Sequence, residues 1–431
     1  MPKKLLNRNF ILLMQGQSIS LLGNQVFSIA AIFWIKHLTD SASLIGLIGM
    51  ISSIPAILLS SVGGAVADRY SRRKILIYCD ALNGIAVLVL ASVLYLSPGK
   101  TDLVLASFFA ISLLMSVVNS FFQPAISAAV PDLVPREKIT GANSLDQASE
   151  QVMTFLGQGI GGVLFRMLGA PMLIFFNGVS FLFAAICEVF IEIPQKIPEK
   201  GKDWKDQMAH FKKDVIEGFR YVWNNQGLKK MTLLFTFINF MTVPVIVLLP
   251  FYVEDFLKAT ADWYGFLLAM YGIGSMLGYI LAGLLKLKGR LRAFTVLTFF
   301  LAESSGFGFL GLISSTATAL VLAVIAGTLN GFVGVYIITA LQVTTPSPMR
   351  GRVFGFISSL SGAMVPLSMG LAGFIFDATG KNIQLIYMSC GLIMFLIALV
   401  SLFSGDIRNF LSNDNDSDEV KIGSEVESAV K

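Results

Sequence analysis

The feature that most constrains this chain is a succession of apolar runs, each long enough to cross a lipid bilayer. A hydrocarbon core about 30 Å thick needs ~20 apolar residues in a helix. Twelve runs can be drawn, roughly at 10–34, 43–67, 75–97, 102–126, 140–168, 170–193, 228–252, 262–286, 291–313, 316–341, 351–377 and 382–404. Backbone polar groups cannot go unpaired in lipid, so each run is expected to be an α-helix, and the fold class to be all-α integral membrane. Only Gly169-Ala170-Pro171 divides the fifth run from the sixth. The first, Phe10 to Trp34, is too long for the core of a signal peptide and reads as a span. Composition agrees: charged residues make up 14% of the chain, against about 25% in soluble domains.

The formal net charge of +5 could suggest nucleic acid, but its placement argues for topology. With the N-terminus inside, 27 of the 32 Lys and Arg residues fall on inner segments. The outer ones are Lys36, Lys100, Arg166, Lys258 and Lys381. The positive-inside rule then places both termini in the cytoplasm and the spans in a bacterial inner membrane. The basic balance is expected to face anionic lipid, with no nucleic acid as partner.

The longest inner loop, 194–227, divides the chain into spans 1–193 and spans 228–404. Trp204, Met208, Phe211, Val215, Phe219 and Val222 recur in it at helical spacing, with Lys205, Lys212 and Lys213 between them. An amphipathic helix on the inner leaflet is expected, with a solvated linker helix as the alternative. Residues 405–431, rich in Asp and Asn, are expected to be a disordered tail.

Sliding the chain on itself by 211 residues gives ten identities in the 47 positions from 119 to 165, among them Asn119/Asn330, Phe121/Phe332, Pro135/Pro346, Gly159/Gly370 and Gly162/Gly373. Composition alone would give roughly three or four. The repeat pairs span four with ten and five with eleven, as two six-span halves of equal orientation require.

Cys79, Cys187 and Cys390 lie far apart in apolar runs, and His37 and His210 stand alone. No metal spacing or disulfide framework follows, and no metal or cofactor is expected. No G-x-x-x-x-G-K-[ST] loop is present, so energy from ATP within this chain is not expected.

Acids inside spans are costly and therefore informative. Glu303 lies about twelve residues into span nine, close to the midplane at 1.5 Å per residue. It is a candidate proton carrier, or else a structural hydrogen-bond partner of a neighbouring helix. Asp146 and Glu150 are four apart and share one face of span five. Two like charges there resist ionising together, which suits reversible protonation. Asp80 and Glu188 read as interfacial, near the inner ends of spans three and six.

Between spans two and three stands Gly64-Ala65-Val66-Ala67-Asp68-Arg69-Tyr70-Ser71-Arg72-Arg73. It resembles motif A of the major facilitator superfamily, G-x-L-A-D-R-x-G-R-R, with Val66 and Ser71 as departures. Gly16-Gln17-Ser18-Ile19-Ser20-Leu21-Leu22-Gly23, Phe122-Gln123-Pro124-Ala125, Pro131-Asp132-Leu133-Val134-Pro135 and Ala142-Asn143-Ser144-Leu145 are similar to the drug:proton antiporter group that contains macrolide efflux proteins. The resemblance implies two pseudo-symmetric six-helix bundles that rock about a central site. It implies that Gly64, Asp68, Arg69, Arg72 and Arg73 form a conformational latch, with Arg72 paired to Asp132 and Asp68 facing the start of span eleven near Gly351. It also places spans one, four, seven and ten around a substrate cavity. Gln17, Asn24, Gln25, Asn119, Gln123, Asn239 and Asn330 would then offer polar groups, and Phe122, Phe240 and Tyr336 aromatic surface; helix–helix hydrogen bonds are the competing role for each. The span-five glycines Gly157, Gly159, Gly161 and Gly162 resemble the antiporter motif, with Gln158 in place of its Pro. The Arg of motif B is absent; Asn119 and Gln123 occupy its region.

The expected function is secondary active export of a lipophilic, macrolide-like small molecule in exchange for protons, by a monomer. An exporter of a metabolite, siderophore or lipid shares the same fold and is the first rival. A membrane-embedded acyltransferase would need a catalytic His near an interface, and the isolated histidines disfavour it; the repeat disfavours a passive channel.

Overall fold

The apolar runs are helices throughout. The computed structural model describes residues 4–195, 215–285 and 287–413. Eleven helices in it are long and apolar enough to cross a membrane. The longest, Ile139–Val189, contains Gly169 at φ 72°, ψ 165°, outside helical geometry, and so comprises two spans, 139–168 and 170–189. A positive φ at this point favours Gly, and Pro171 sits where a missing N–H costs the new helix nothing. The twelve expected runs thus map onto eleven helical segments, with the fifth and sixth joined.

In chain order the spans are Arg8–Thr39, Ala42–Arg69, Arg72–Leu96, Thr101–Leu133, the paired run, Gln226–Val247, Asp262–Leu285, Gly289–Leu310, Thr316–Thr344, Ser347–Ala378 and Ile383–Phe403. Local chemistry sets several starts. Asn7 Oδ1 accepts from Phe10 N at 3.0 Å, and Ser41 Oγ from Leu44 N at 3.3 Å. Such caps satisfy N–H groups that the helix itself leaves unpaired. Large apolar side chains such as Leu58, Phe374 and Val400 are exposed, as lipid-facing positions require.

The chain forms two compact units. The first comprises Met1–His210, Ile246–Ala269 and Val365–Asn382; the second comprises Phe211–Val245, Met270–Met364 and Ile383–Lys431. Within the first, spans two and four meet so closely that a Cβ on Gly63 would lie 1.9 Å from Ser120 O. Within the second, a Cβ on Gly331 would lie 2.2 Å from Ser275 O, joining spans eight and ten. The 211-residue offset carries Ser120 onto Gly331 and Gly64 onto Ser275. The repeat read in the sequence therefore recurs as a repeated helix contact, where small residues let backbones approach.

Of the amphipathic segment expected in the central loop, Trp204, Met208, Phe211 and the lysines lie outside the described residues. Residues 215–224 are helical, with Val222 buried and Phe219 and Trp223 exposed. Gly405–Ser412, expected within a disordered tail, is instead a helix that buries Ile407, Phe410 and Leu411. Those three residues recur at spacings of three and one, enough apolar surface to dock a short helix; residues beyond 413 lie outside the described ones.

Candidate functional site

The basic turn is short because spans two and three meet almost end to end. Ser71 caps span three, accepting from Lys74 N at 3.4 Å. This cap turns Arg72 back under span two. Its Nη1 donates to Asp132 Oδ2 at 2.5 Å and to Ala128 O at 2.9 Å, and its Nε to Ala67 O at 3.3 Å. Asp68 lies 3.6 Å from Arg72 Nη2 and remains 63% exposed. Arg73 donates to Val189 O at the end of span six. Gln195, which the sequence did not single out, completes the turn: its Oε1 accepts from Arg72 N at 2.9 Å, and its Nε2 donates to Tyr70 O at 3.1 Å.

At the opposite end of span one lies a charged cluster, entirely within the first unit. Lys36, 5% exposed, donates to Glu254 Oε2 at 2.7 Å and Asp255 Oδ1 at 3.1 Å. It also stands 5.0 Å from the Phe251 ring centroid. His37 Nε2 lies 3.0 Å from Glu254 Oε1. One π-type turn, Tyr252–Phe256, presents both acids to the same lysine; such turns are frequent at functional sites. Asp377 from the end of span eleven accepts from Ala42 N at 3.2 Å, Ser43 N at 2.8 Å, Ser41 Oγ at 2.9 Å and Ser43 Oγ at 2.6 Å. Span two is thus capped by a carboxylate from another helix, at the end where the helix dipole favours an anion. Lys381 pairs with Asp40, and Arg166 stands 3.6 Å from Asp262.

None of these acids was singled out from the sequence. The available signal was the short set of outer cations: Lys36, Arg166 and Lys381 are three of its five members, and each has found an acid.

The candidate proton carriers lie apart. In the first unit Asp146 is half-buried and Glu150 exposed on one face of span five, and the charge of Glu150 acts on Asp146. In the second unit Glu303 is 3% exposed, and its Oε1 accepts from Asn330 Nδ2 at 2.8 Å. Asp80 and Glu188, expected near the inner ends of spans three and six, stand in the third turn of Arg72–Leu96 and one residue before the end of span six, and each is 2% exposed.

The polar cavity candidates divide. On span four Asn119 and Gln123 are exposed, with Phe122 half-buried beside them. On span one Asn24 Oδ1 accepts from Asn177 Nδ2 at 3.4 Å, while Gln17 Nε2 is buried without a hydrogen-bond partner. Gln25 abuts span five, where a Cβ on Gly157 would come within 2.5 Å of its Cβ. On span seven Asn239 Nδ2 donates back to Phe235 O at 2.9 Å, and the Phe240 ring lies 6.2 Å from that of Phe237. Tyr336, expected to offer surface to a cavity, is buried and hydrogen-bonded: its hydroxyl donates to Ala282 O at 3.1 Å and accepts from Leu287 N at 3.0 Å. Of the span-five glycines, Gly157, Gly161 and Gly162 are close-contact positions, while Gly159 has ordinary room. A Cβ on Gly161 would meet Ile29 Cδ1 at 2.5 Å, one on Gly162 would meet Ala261 O at 2.5 Å, and one on Gly159 would meet Ala269 Cβ at 3.5 Å.

Paired helical repeats, a basic turn held by an arginine and an ion-paired cluster at the opposite end describe a multi-span membrane protein, and its family is one of transporters rather than enzymes. Residues 13–367 match the family model of the Major Facilitator Superfamily, and the chain belongs to that family. It is 23% identical over 400 residues to macrolide efflux protein A of Streptococcus pyogenes, covering 93% of this chain and 96% of that protein. It is 25% identical over 394 residues to the multidrug efflux pump Tap of Mycolicibacterium fortuitum, covering 90% and 93%. In fold it resembles a bacterial homologue of the iron transporter ferroportin in an inward-facing state, with TM-score 0.71 at 14% identity, covering 93% of this chain and 100% of that one. It also resembles a D-xylose–proton symporter, with TM-score 0.63 at 14% identity, covering 94% and 98%.

Proposed function

We propose that this transporter exports lipophilic, macrolide-like small molecules, driven by protons moving inward in exchange. The observation that carries the reading is the charged cluster. Lasting interfaces tend to be the more apolar ones, whereas one made of ion pairs and a borrowed helix cap can part in water. Lys36, Glu254, Asp255 and Asp377 then act as a gate at one end, and Asp68, Arg72, Arg73 and Asp132 as the latch at the other. Asn119, Gln123 and Phe122, exposed or half-exposed on span four, meet cargo. Asp146, Glu150 and Glu303 are the acids that exchange protons. The basic turn faces the cytoplasm of a bacterial cell, the chain works as a monomer in the cytoplasmic membrane, and no cofactor beyond the proton gradient is needed. The names of the efflux relatives support the cargo class.

The test is reconstitution into vesicles containing a pH-sensing dye, with a panel of macrolides, lipophilic cations, siderophores and lipids. Proton movement evoked by a macrolide or lipophilic cation supports the reading. Movement evoked only by a siderophore, metabolite or lipid reassigns the cargo, and none with any compound overturns antiport.

A further inference from the structure

We propose that Asp80 and Glu188, packed between spans three and six of the first unit, share a single proton and form a proton-binding site next to the basic turn. The role in coupling rests on the antiport reading; the occupancy of the site does not.

Both residues are 2% exposed, inside segments long and apolar enough to span a membrane. The helices that carry them, spans three and six, pack directly against each other. Asp80 Oδ2 and Glu188 Oε2 are buried without a hydrogen-bond donor. Among the described residues neither carboxylate is in an ion pair. Two buried, adjacent, uncompensated anions are not a stable arrangement in a protein interior.

A third group points to the same missing donor. Asn83 is 5% exposed, lies one turn beyond Asp80 on the same helix face, and leaves its own Oδ1 without a partner. The cluster therefore holds three acceptors in want of hydrogen. A protonated carboxyl is a donor, whereas a carboxylate is acceptor-only. One proton on the pair supplies that donor and removes one of the two charges.

The helices fix this geometry. A Cβ on Gly84 would meet Leu182 Cδ2 at 2.8 Å, and one on Gly178 would meet Leu88 Cγ at 2.7 Å, so spans three and six are in close contact one to two turns beyond the pair. The other titratable groups beside the acids are thiols. Cys79 is held at 3.7 Å from Val118 O of span four, and Cys187 lies against Gly16 of span one. Neither span brings a charge to these contacts. The nearby cation belongs to the basic turn: Arg73 donates to Val189 O, the carbonyl of the residue after Glu188. That bond places the pair next to the turn that Arg72 and Asp132 hold, and a change in its occupancy would be felt there.

Infrared spectroscopy of the purified, lipid-embedded protein tests this. At neutral pH the chain should show a protonated-carboxyl C=O band that Asp80→Asn and Glu188→Gln each remove or shift. If either variant folds poorly, carbon-13 labelling of aspartate in the unaltered chain should shift part of the same band. A band untouched by both substitutions and by the label overturns the site. In the vesicle assay both variants should lose substrate-driven proton movement. Movement equal to that of the unaltered chain would sink the coupling role even with the band present. No movement in the unaltered chain would overturn antiport instead, and the infrared band alone would then decide the site.

Discussion

Asn330 Nδ2 donates a 2.8 Å hydrogen bond to Glu303 Oε1, joining span ten to span nine deep inside the second unit. One candidate proton carrier and one candidate cavity residue are thus partners, although the sequence offered them as separate proposals. The bond satisfies an acid that is 3% exposed. It also leaves Asn330 a structural duty on one side while its residue remains half-buried on the other.

Asn330→Ala should therefore destabilise the chain by about 1–3 kcal/mol, since a buried acceptor loses its donor. Glu303→Gln should cost much less, because an amide oxygen can accept the same bond. Thermal melts in one detergent compare the two. If Glu303 exchanges protons, the Gln variant should keep its melting temperature and lose substrate-driven proton movement; unchanged movement would remove Glu303 from the carriers.

Lys36→Met should leave the half-buried Glu254 and the exposed Asp255 without their common cation. Breaking a buried pair on one side typically costs about 3–5 kcal/mol, and the exposure of Asp255 places the expected loss toward the lower end. The double change Lys36→Glu with Glu254→Lys should recover part of the lost melting temperature. A double variant no better than the single ones would argue that the pair is not coupled.

Asp377→Ala removes the carboxylate that covers the Ala42 and Ser43 N–H groups at the start of span two, leaving the Ser41 cap on Leu44 N. Caps are typically worth about 0.5–2 kcal/mol, and Asp377 accepts two backbone and two hydroxyl donors. Amide hydrogen exchange at Ala42 and Ser43 should speed up, with little change at the Ser71 end of the same hairpin. Equal exchange in both chains would show that the carboxylate is not holding that end shut.

Arg72→Lys keeps the charge and loses the planar fork that reaches Asp132, Ala128 O and Ala67 O together. With about 1.5–3 kcal/mol per charged hydrogen bond at stake, export should fall roughly tenfold or more at unchanged expression. Asp132→Asn should have a similar effect. Efflux of a fluorescent lipophilic dye from cells measures both.

The helices were legible because lipid permits few alternatives: an apolar run of sufficient length is already an instruction to form one. The Arg72–Asp132 pair was legible through a resemblance, not through spacing. The cluster at the other end was not, because Lys36 and Glu254 are separated by more than half the chain and look like ordinary loop charges. Asp80 and Glu188 were legible as residues near the inner ends of their spans, but their burial was not, because it comes from packing between helices far apart in the chain. Tyr336 could not be placed either, since its hydroxyl finds backbone partners on span eight, at Ala282, and just past it, at Leu287, that no pattern in its own helix announces.

The bend at Gly169 carries a mechanical consequence. Spans five and six turn there without an intervening loop. With no loop to take up slack, a tilt of the glycine-lined span five would pass to span six as through a bell crank. Glu188 rides on the output arm of that crank, and Arg73 bonds the carbonyl just past it. Lengthening the corner by two or three flexible residues would leave every contact of the basic turn in place, yet should uncouple the stroke at one end of the protein from the lock at the other.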